Sequence, residues 1–284
     1  MTTADPKDRT FSATQWRVLL HDDFTGPAGS PPDAGRWLTR TGRPFGAGVE
    51  THADDSGHAA LDGAGRLAMT ATRDASGGFT AAWLESRRED LLPPSGGALR
   101  IQARVRTAPG PGLDCALWAW GNPMRHPEPG EAELDRWFRA GEMDVFEVLG
   151  SQPDRVHGSL HSPACDQLPS CGIGGHGATV DGAPLSDGFH TYSMVWTRDP
   201  DTVTWHIDAR PYLKLTPEDT TPEGWLFNQP AHLCLAIIIG SPGGPVPPGT
   251  PDPAAFPAAM LVDEITVAVR GPKDSTDAAG EAAR

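Results

Sequence analysis

The chain contains no apolar run near the roughly 18 residues that a membrane span requires; its longest, Leu233–Ile239, falls far short. Met1–Thr10 is polar and carries Asp5, Lys7, Asp8 and Arg9, so no apolar core of a secretory leader is visible. That leaves two expectations open, a cytoplasmic protein or a secreted one whose leader was removed. Cysteine is scarce. Cys115, Cys165, Cys171 and Cys234 are too few for a disulfide scaffold at this length and lack the CxxC spacing of structural zinc. Cys165 and Cys171 would close a small loop if oxidised, but free thiols are the plainer expectation. Basic charge is also in deficit. The 23 Lys and Arg face 37 Asp and Glu, a net charge of −14 that repels phosphate backbones and excludes a nucleic-acid partner. Helical periodicity is confined to Glu131–Phe138, and no internal repeat occurs.

Turn formers, by contrast, are abundant, with 33 Gly and 29 Pro, and 38% hydrophobic residues suffice for a sizeable core. Between the turns lie short β-rich runs: Trp16–His21, Arg66–Thr72, Phe79–Leu84, Ala98–Arg106, Cys115–Trp120, Glu142–Leu149, Arg155–His161, Thr191–Thr197, Thr202–Ile207, His232–Ile239 and Leu261–Val269. In Leu99–Arg106 the odd positions are apolar and the even positions polar, the period of a half-buried strand. Many short strands without alternating helices predict an all-β antiparallel sandwich or jelly roll. All 284 residues fit one such domain, expected over residues 13–270 between flexible ends at 1–12 and 271–284. The Pro/Gly-rich Ser241–Pro257 reads as a long surface loop.

The segment Glu142-Met143-Asp144-Val145-Phe146-Glu147 carries the chemistry. In a regular strand Glu142 and Asp144 share one face with Phe146, and Glu147 points into the core, where an unpaired charge is costly. One extra residue, a bulge around Val145–Phe146, returns Glu147 to the acidic face. The Cα atoms of Glu142 and Glu147 are then about 13–16 Å apart along the strand. On a concave sheet their carboxyl groups converge toward the roughly 5–5.5 Å used by retaining glycosidases. Crowded like charges push their pKa values apart, giving one protonated acid and one ionised nucleophile. The alternative is a solvated acidic face, disfavoured by the mutual repulsion of three acids on one strand.

At these residues the chain resembles glycoside hydrolase family 16, whose bulged Glu-x-Asp-x-x-Glu signature is shared by laminarinase-like and agarase-like members. The similarity continues in Leu19–Gly26, Ala116–Gly121, Trp137–Gly141 with its Trp-x-x-x-Gly spacing, Val156–His161, Phe189–Trp196 and Val262–Val267. The resemblance implies a concanavalin-like jelly roll of two curved sheets with a concave cleft, and retaining cleavage of β-1,3 or β-1,4 bonds in a glucan or galactan. It makes Glu142 the nucleophile, Glu147 the general acid/base and Asp144 the carboxylate between them. Trp137 and Trp196 fall at positions that line subsites beside the nucleophile, and Arg87 at a position near the cleft. Core packing is the competing reading of each tryptophan and surface exposure that of the arginine. His157, Ser159 and His161 share a strand face by alternation. His161 and, behind it, His157 are expected to approach the acids or a sugar hydroxyl, or else to be structural. Trp118 and Trp120 share a face of the neighbouring strand, so one or both line the cleft or pack in the core.

No cofactor is expected. Asp23 and Asp263 lie near where many family members hold a structural calcium, but two acids do not establish a metal. The expected partner is a carbohydrate or a glycosylated small molecule, acted on by a monomer. The chain departs from the family pattern at Leu113-Asp114-Cys115, where Trp-Pro is common. Leu235–Ser241 lacks the usual Asn, and Ser241–Pro257 lacks an aromatic element. Such changes reshape the sugar-binding wall. They keep open an enzyme doing acid/base chemistry on an intracellular small molecule of specialised metabolism, its cleft narrowed by Ile237–Ile239. A third reading is a lectin-like module, against which the intact acids argue.

Overall fold

The protein is represented by a computed structural model that describes residues 16–44, 48–54, 57–162, 172–220, 224–240 and 250–272. In chain order its strands begin with β1 (Arg17–Asp22), β2 (Trp37–Arg40), β3 (Glu50–His52), β4 (Ala59–Leu61), β5 (Leu67–Arg73) and β6 (Phe79–Ala81). They continue with β7 (Trp83–Ser86), β8 (Ala98–Arg106), β9 (Leu113–Gly121), β10 (Glu142–Leu149), β11 (Arg155–His161) and β12 (Gly172–Ala178). The last are β13 (His190–Thr197), β14 (Thr202–Ile207), β15 (Arg210–Leu215), β16 (Ala231–Ile239) and β17 (Ala258–Arg270), and the one α-helix among the described residues, α1 (Glu133–Ala140), precedes β10. None of the described helices is long and apolar enough to cross a membrane.

Two sheets result. One runs β15-β14-β13-β8-β17-β5-β6-β3, with β1 on β17 and β4 on β5; the other runs β12-β11-β10-β9-β16-β7-β2. The all-β jelly roll expected from the sequence is therefore the observed fold, with one exception to antiparallel pairing among the described strands, the parallel contact of β3 with β6. The alternation in β8 has its expected cause. Leu99, Ile101, Ala103 and Val105 are buried in the core between the sheets, while Arg100, Gln102 and Arg104 face outward.

Some boundaries differ. Phe79–Leu84, read as one strand, breaks at Ala82 into β6 and β7, which belong to opposite sheets. Strands β2, β3, β4, β12 and β15 are absent from the sequence reading, because three- and four-residue strands and the Gly-rich Gly172–Ala178 carry too little period to read, and Pro211 interrupts the run that forms β15. The helix starts and ends two residues later than expected. Residues 1–15 and 273–284, Cys165, Cys171 and residues 241–249 of the expected surface loop lie outside the described residues.

Central strands β9 and β16 are buried on both faces. Their odd-numbered residues enter the core between the sheets. Their even-numbered residues Ala116, Trp118, Trp120, Cys234 and Ala236 form, with Trp83 of β7, a second apolar layer on the outer, concave face of the seven-stranded sheet. This layer adjoins the acids of β10.

Candidate active site

Strand β10 is launched by a sharp change of direction. Helix α1 closes at Gly141, whose amide donates to the Trp137 carbonyl at 3.0 Å. Gly141 has φ +68°, and a side chain there would press on Leu226 and Phe227 at 3.3 Å. With Trp137 in the last helical turn, its indole Nε1 reaches back to Glu142 Oε2 at 2.8 Å. Trp120 Nε1 of the adjacent strand donates to the same oxygen.

The irregularity inferred from the sequence is present. Asp144 lies opposite Trp118 and Ser159, while Phe146 lies opposite Leu117 and Glu147 opposite Ala116 and His157, so β10 carries one extra residue after Asp144. Phe146 consequently enters the core, 4.6 Å from the Tyr192 ring, instead of standing among the acids. Burying a side chain of that size stabilises the fold by roughly 1.5–3 kcal/mol. An unbulged strand would lose this and place the Glu147 carboxylate in the core at a further cost of about several kcal/mol. The bulge wins on both counts. At the bulge the Asp144 carbonyl also accepts from Trp205 Nε1 of the opposite sheet, at 2.6 Å. Gly158 leaves room for that indole, since a Cβ there would lie 2.5 Å from Trp205 Cδ1.

Glu142, Asp144 and Glu147 therefore share one face, linked by two side chains of β11. The Ser159 hydroxyl donates to Asp144 Oδ2 at 2.5 Å and lies 3.3 Å from Glu147 Oε2. His161 Nε2 sits 3.0 Å from Asp144 Oδ2 and 3.9 Å from Glu142 Oε1. Burial pulls the His161 imidazole down, but its bond to Asp144 and the charges of Asp144, Glu142 and Glu147 prevail and raise it to about 10. It is an imidazolium at neutral pH. Burial, then the charge of Asp144, pushes Glu142 up to about 7 against the opposing pull of His161 and the two indoles. Burial, then Asp144 and Asp114, pushes Glu147 well above the ordinary carboxylate range. The environments thus separate the two glutamates into one that keeps its proton and one that ionises more readily, the pairing that acid–nucleophile chemistry requires. Beside them opens a cleft of about 400 Å³, lined by Glu147, Ser159, His157, His161 and His176, within the range of small-ligand sites.

The sequence profile of glycosyl hydrolases family 16 matches residues 98–245, more than half of the chain and the whole of β8 to β16. The chain belongs to this family. It is a glycoside hydrolase. A β-glucanase of Rhodothermus marinus is 29% identical over 270 residues, 92% of this chain and 87% of the relative. The endo-1,3-β-glucanase of Streptomyces sioyaensis superposes with a TM-score of 0.80 at 29% identity, covering 93% of this chain and 100% of the other. The endo-β-1,3-glucanase of Pyrococcus furiosus does so with 0.75 at 26% identity, covering 92% and 97%.

The other family 16 positions named from the sequence fare unequally. Trp137 is partly exposed beside Glu142, with its ring 5.7 Å from His161. His161 is at the acids and His157 lines the cleft, paired with Gln152 at 3.2 Å and 5.9 Å from the His176 ring. Trp118 and Trp120 are on the concave face but only 4% and 1% exposed. Trp118 offers no open stacking surface, and Trp120 holds Glu142. Trp196 must be corrected. It is 0% exposed in the core between the sheets, its Nε1 donating to the Phe227 carbonyl at 3.0 Å, because alternation on β13 turns it inward. Arg87 must be corrected too: it is exposed just past β7, its guanidinium is bound to the Ala34 carbonyl, and it makes no described contact with the acids. Ile237 and Ile239 are core residues and only Ile238 faces the concave side, so the run does not narrow the cleft as a block.

Sequence reasoning missed the roof over the tryptophan layer. Arg40 of β2 lies over Trp83 at 4.9 Å and Trp120 at 5.8 Å, and its Nη2 bonds Glu133 of α1 at 3.0 Å. Arg125 bonds Glu85 of β7 at 2.8 Å. No local pattern links β2 to a helix about 93 positions away.

Two groups of potential metal ligands occur among the described residues. In Glu85, His232 and Cys234, Arg125 already occupies the carboxylate and burial keeps the thiol protonated. In Glu142, Asp144 and His161 the imidazole is cationic. Asp263 takes the Arg104 guanidinium at 2.6 Å, and Asp23 caps the Thr25 amide.

Proposed function

We propose that this protein is a retaining endo-β-glucanase acting on β-1,3-linked glucan. The observation that carries the proposal is the bulge, which brings Glu142 and Glu147 onto one face either side of Asp144. In this reading the Glu142 carboxylate attacks the anomeric carbon while Glu147 gives its proton to the departing glycosidic oxygen. Glu147 then takes a proton from water as that water displaces Glu142. Asp144, held by Ser159 and by the His161 imidazolium, fixes the nucleophile's surroundings, and the Trp120 and Trp137 indoles aim its carboxylate. No cofactor enters these steps. Trp137 is the partly open indole available to stack on a sugar face.

The relatives named above are β-glucanases, and this favours a glucan over a galactan. Nothing among them favours the small-molecule enzyme or the lectin-like module that the sequence also allowed. The test is incubation with laminarin, lichenan, agarose and carrageenan, scored by new reducing ends, with the anomer of the first product read by NMR. Release of retained β-anomer from laminarin is expected. Cleavage of agarose alone, an inverted anomer, or a blank panel would overturn the reading.

A further inference from the structure

Asp114, near the start of β9, belongs to neither the motif nor the tryptophan layer. It is completely buried. Its position opposite Leu149 and Ile238 places it on the concave face, two residues along β9 from Ala116, the partner of Glu147. Neither of its carboxyl oxygens has a side-chain hydroxyl or N–H partner among the described residues, and the one donor that approaches it is the backbone N–H of Val148. The side chain that does reach it is the Glu147 carboxyl. Two carboxyl groups bond each other only when a proton lies between them, and a buried carboxylate left with no donor is expensive.

We propose that Asp114 is a positioning residue for Glu147, its buried carboxyl sharing a proton with the Glu147 carboxyl and so keeping that acid loaded in the cleft. The proposal rests on the reading of Glu147 as general acid/base. When Glu147 passes its proton to the leaving oxygen, two adjacent carboxylates remain. Their repulsion draws a proton back from the attacking water in the second half-reaction, so charge and protons balance over the cycle.

The surroundings agree. Burial, then the charge of Asp144, raises Asp114 to about 7 against the pull of its bonds to Glu147 and the Val148 N–H, and Glu147 is raised well above the ordinary carboxylate range. Two such neighbours titrate as a pair rather than as separate sites. Other groups face the pair. Glu142 and Asp144 add negative charge from β10, and His161 of β11 opposes it. Glu50 of β3 adds to the field at Asp114, while His157, His176 and the high-pKa Tyr212 phenol border Glu147. His161 is the cation that opposes this negative charge, and a proton shared between Asp114 and Glu147 relieves the remainder.

Asp114→Asn tests this. The carboxamide is nearly isosteric, removes the negative charge and offers an N–H to ionised Glu147. The alkaline limb of kcat/KM on laminarin is expected to move down by about one pH unit or more, a tenfold or greater loss at pH values above the shifted limb. Turnover of a dinitrophenyl β-glycoside, whose leaving group needs no proton, should fall much less. A merely structural role would depress both substrates alike and leave the limb in place, and that result overturns the proposal. Glu147→Gln separates the two levels: if it keeps laminarin activity and the limb, the role of Glu147 itself fails and the proposal with it. If it is inactive, an unmoved limb in Asp114→Asn overturns the pairing alone.

Discussion

Trp205 on one sheet donates its indole N–H to the Asp144 carbonyl on the other, 2.6 Å away across the core. That bond engages the carbonyl at the bulge of β10, so a residue 61 positions downstream stabilises the irregularity that defines the acidic face. Trp205→Phe keeps most of the ring but removes the donor. It is expected to lower stability by about 1–3 kcal/mol, the cost of an unsatisfied buried carbonyl, and to lower kcat more than it raises KM. Thermal unfolding and laminarin kinetics check this. A full-strength enzyme with an unchanged melting temperature would detach Trp205 from the bulge.

The pH profile should be bell-shaped and displaced upward. Glu142, raised to about 7, must lose its proton to attack, so activity falls as pH drops below that value rather than near the usual glutamate range. Glu147 must hold its proton, so activity falls again on the alkaline side. Trp137→Phe removes one donor to the Glu142 carboxylate and should move the acid limb further up. Initial rates on laminarin between pH 4 and 10 decide the matter, and an acid limb in the ordinary range would contradict it.

Stability should follow the same side of the scale. His161 is raised to about 10, so its contribution is complete below its unfolded value near 6.5 and is lost as pH rises through about 10. Glu142 has the same sign, because a raised acid loses stability as pH rises through about 7. The melting temperature is expected to fall between pH 6 and 10, and His161→Asn to flatten that fall. Calorimetry across this window gives the answer.

Arg40 roofs Trp83 and Trp120 and ties β2 to α1. Arg40→Ala removes a largely desolvated cation–π contact of about 1–2 kcal/mol, which at this size corresponds to a few degrees in Tm. Acrylamide should then quench tryptophan fluorescence more strongly than in the wild type. Equal quenching would mean that other groups cover the indoles.

For loss of function, Glu142→Gln is expected to abolish laminarin cleavage, and Glu147→Gln to cost about 10²–10⁴-fold in kcat. Reducing-end assays measure both. Wild-type turnover in either variant would remove that glutamate from the chemistry.

The sequence alone determined the strand-rich architecture, the place of the catalytic segment and even its bulge, because a period of two and the cost of a buried charge act locally and leave only one consistent arrangement of Met143 to Val148. It also marked Trp137 and His161, which lie within a turn or a single strand pairing of the acids. What only the tertiary structure decided were the partners brought from afar: Trp205 through Gly158, Arg40 over Trp83, and Asp114 beside Glu147. The inward turn of Trp196 and the exposure of Arg87 belong to the same class. Which face of a sheet is core, and which strands are neighbours, is settled by how two sheets pack, and no window of consecutive residues contains that information.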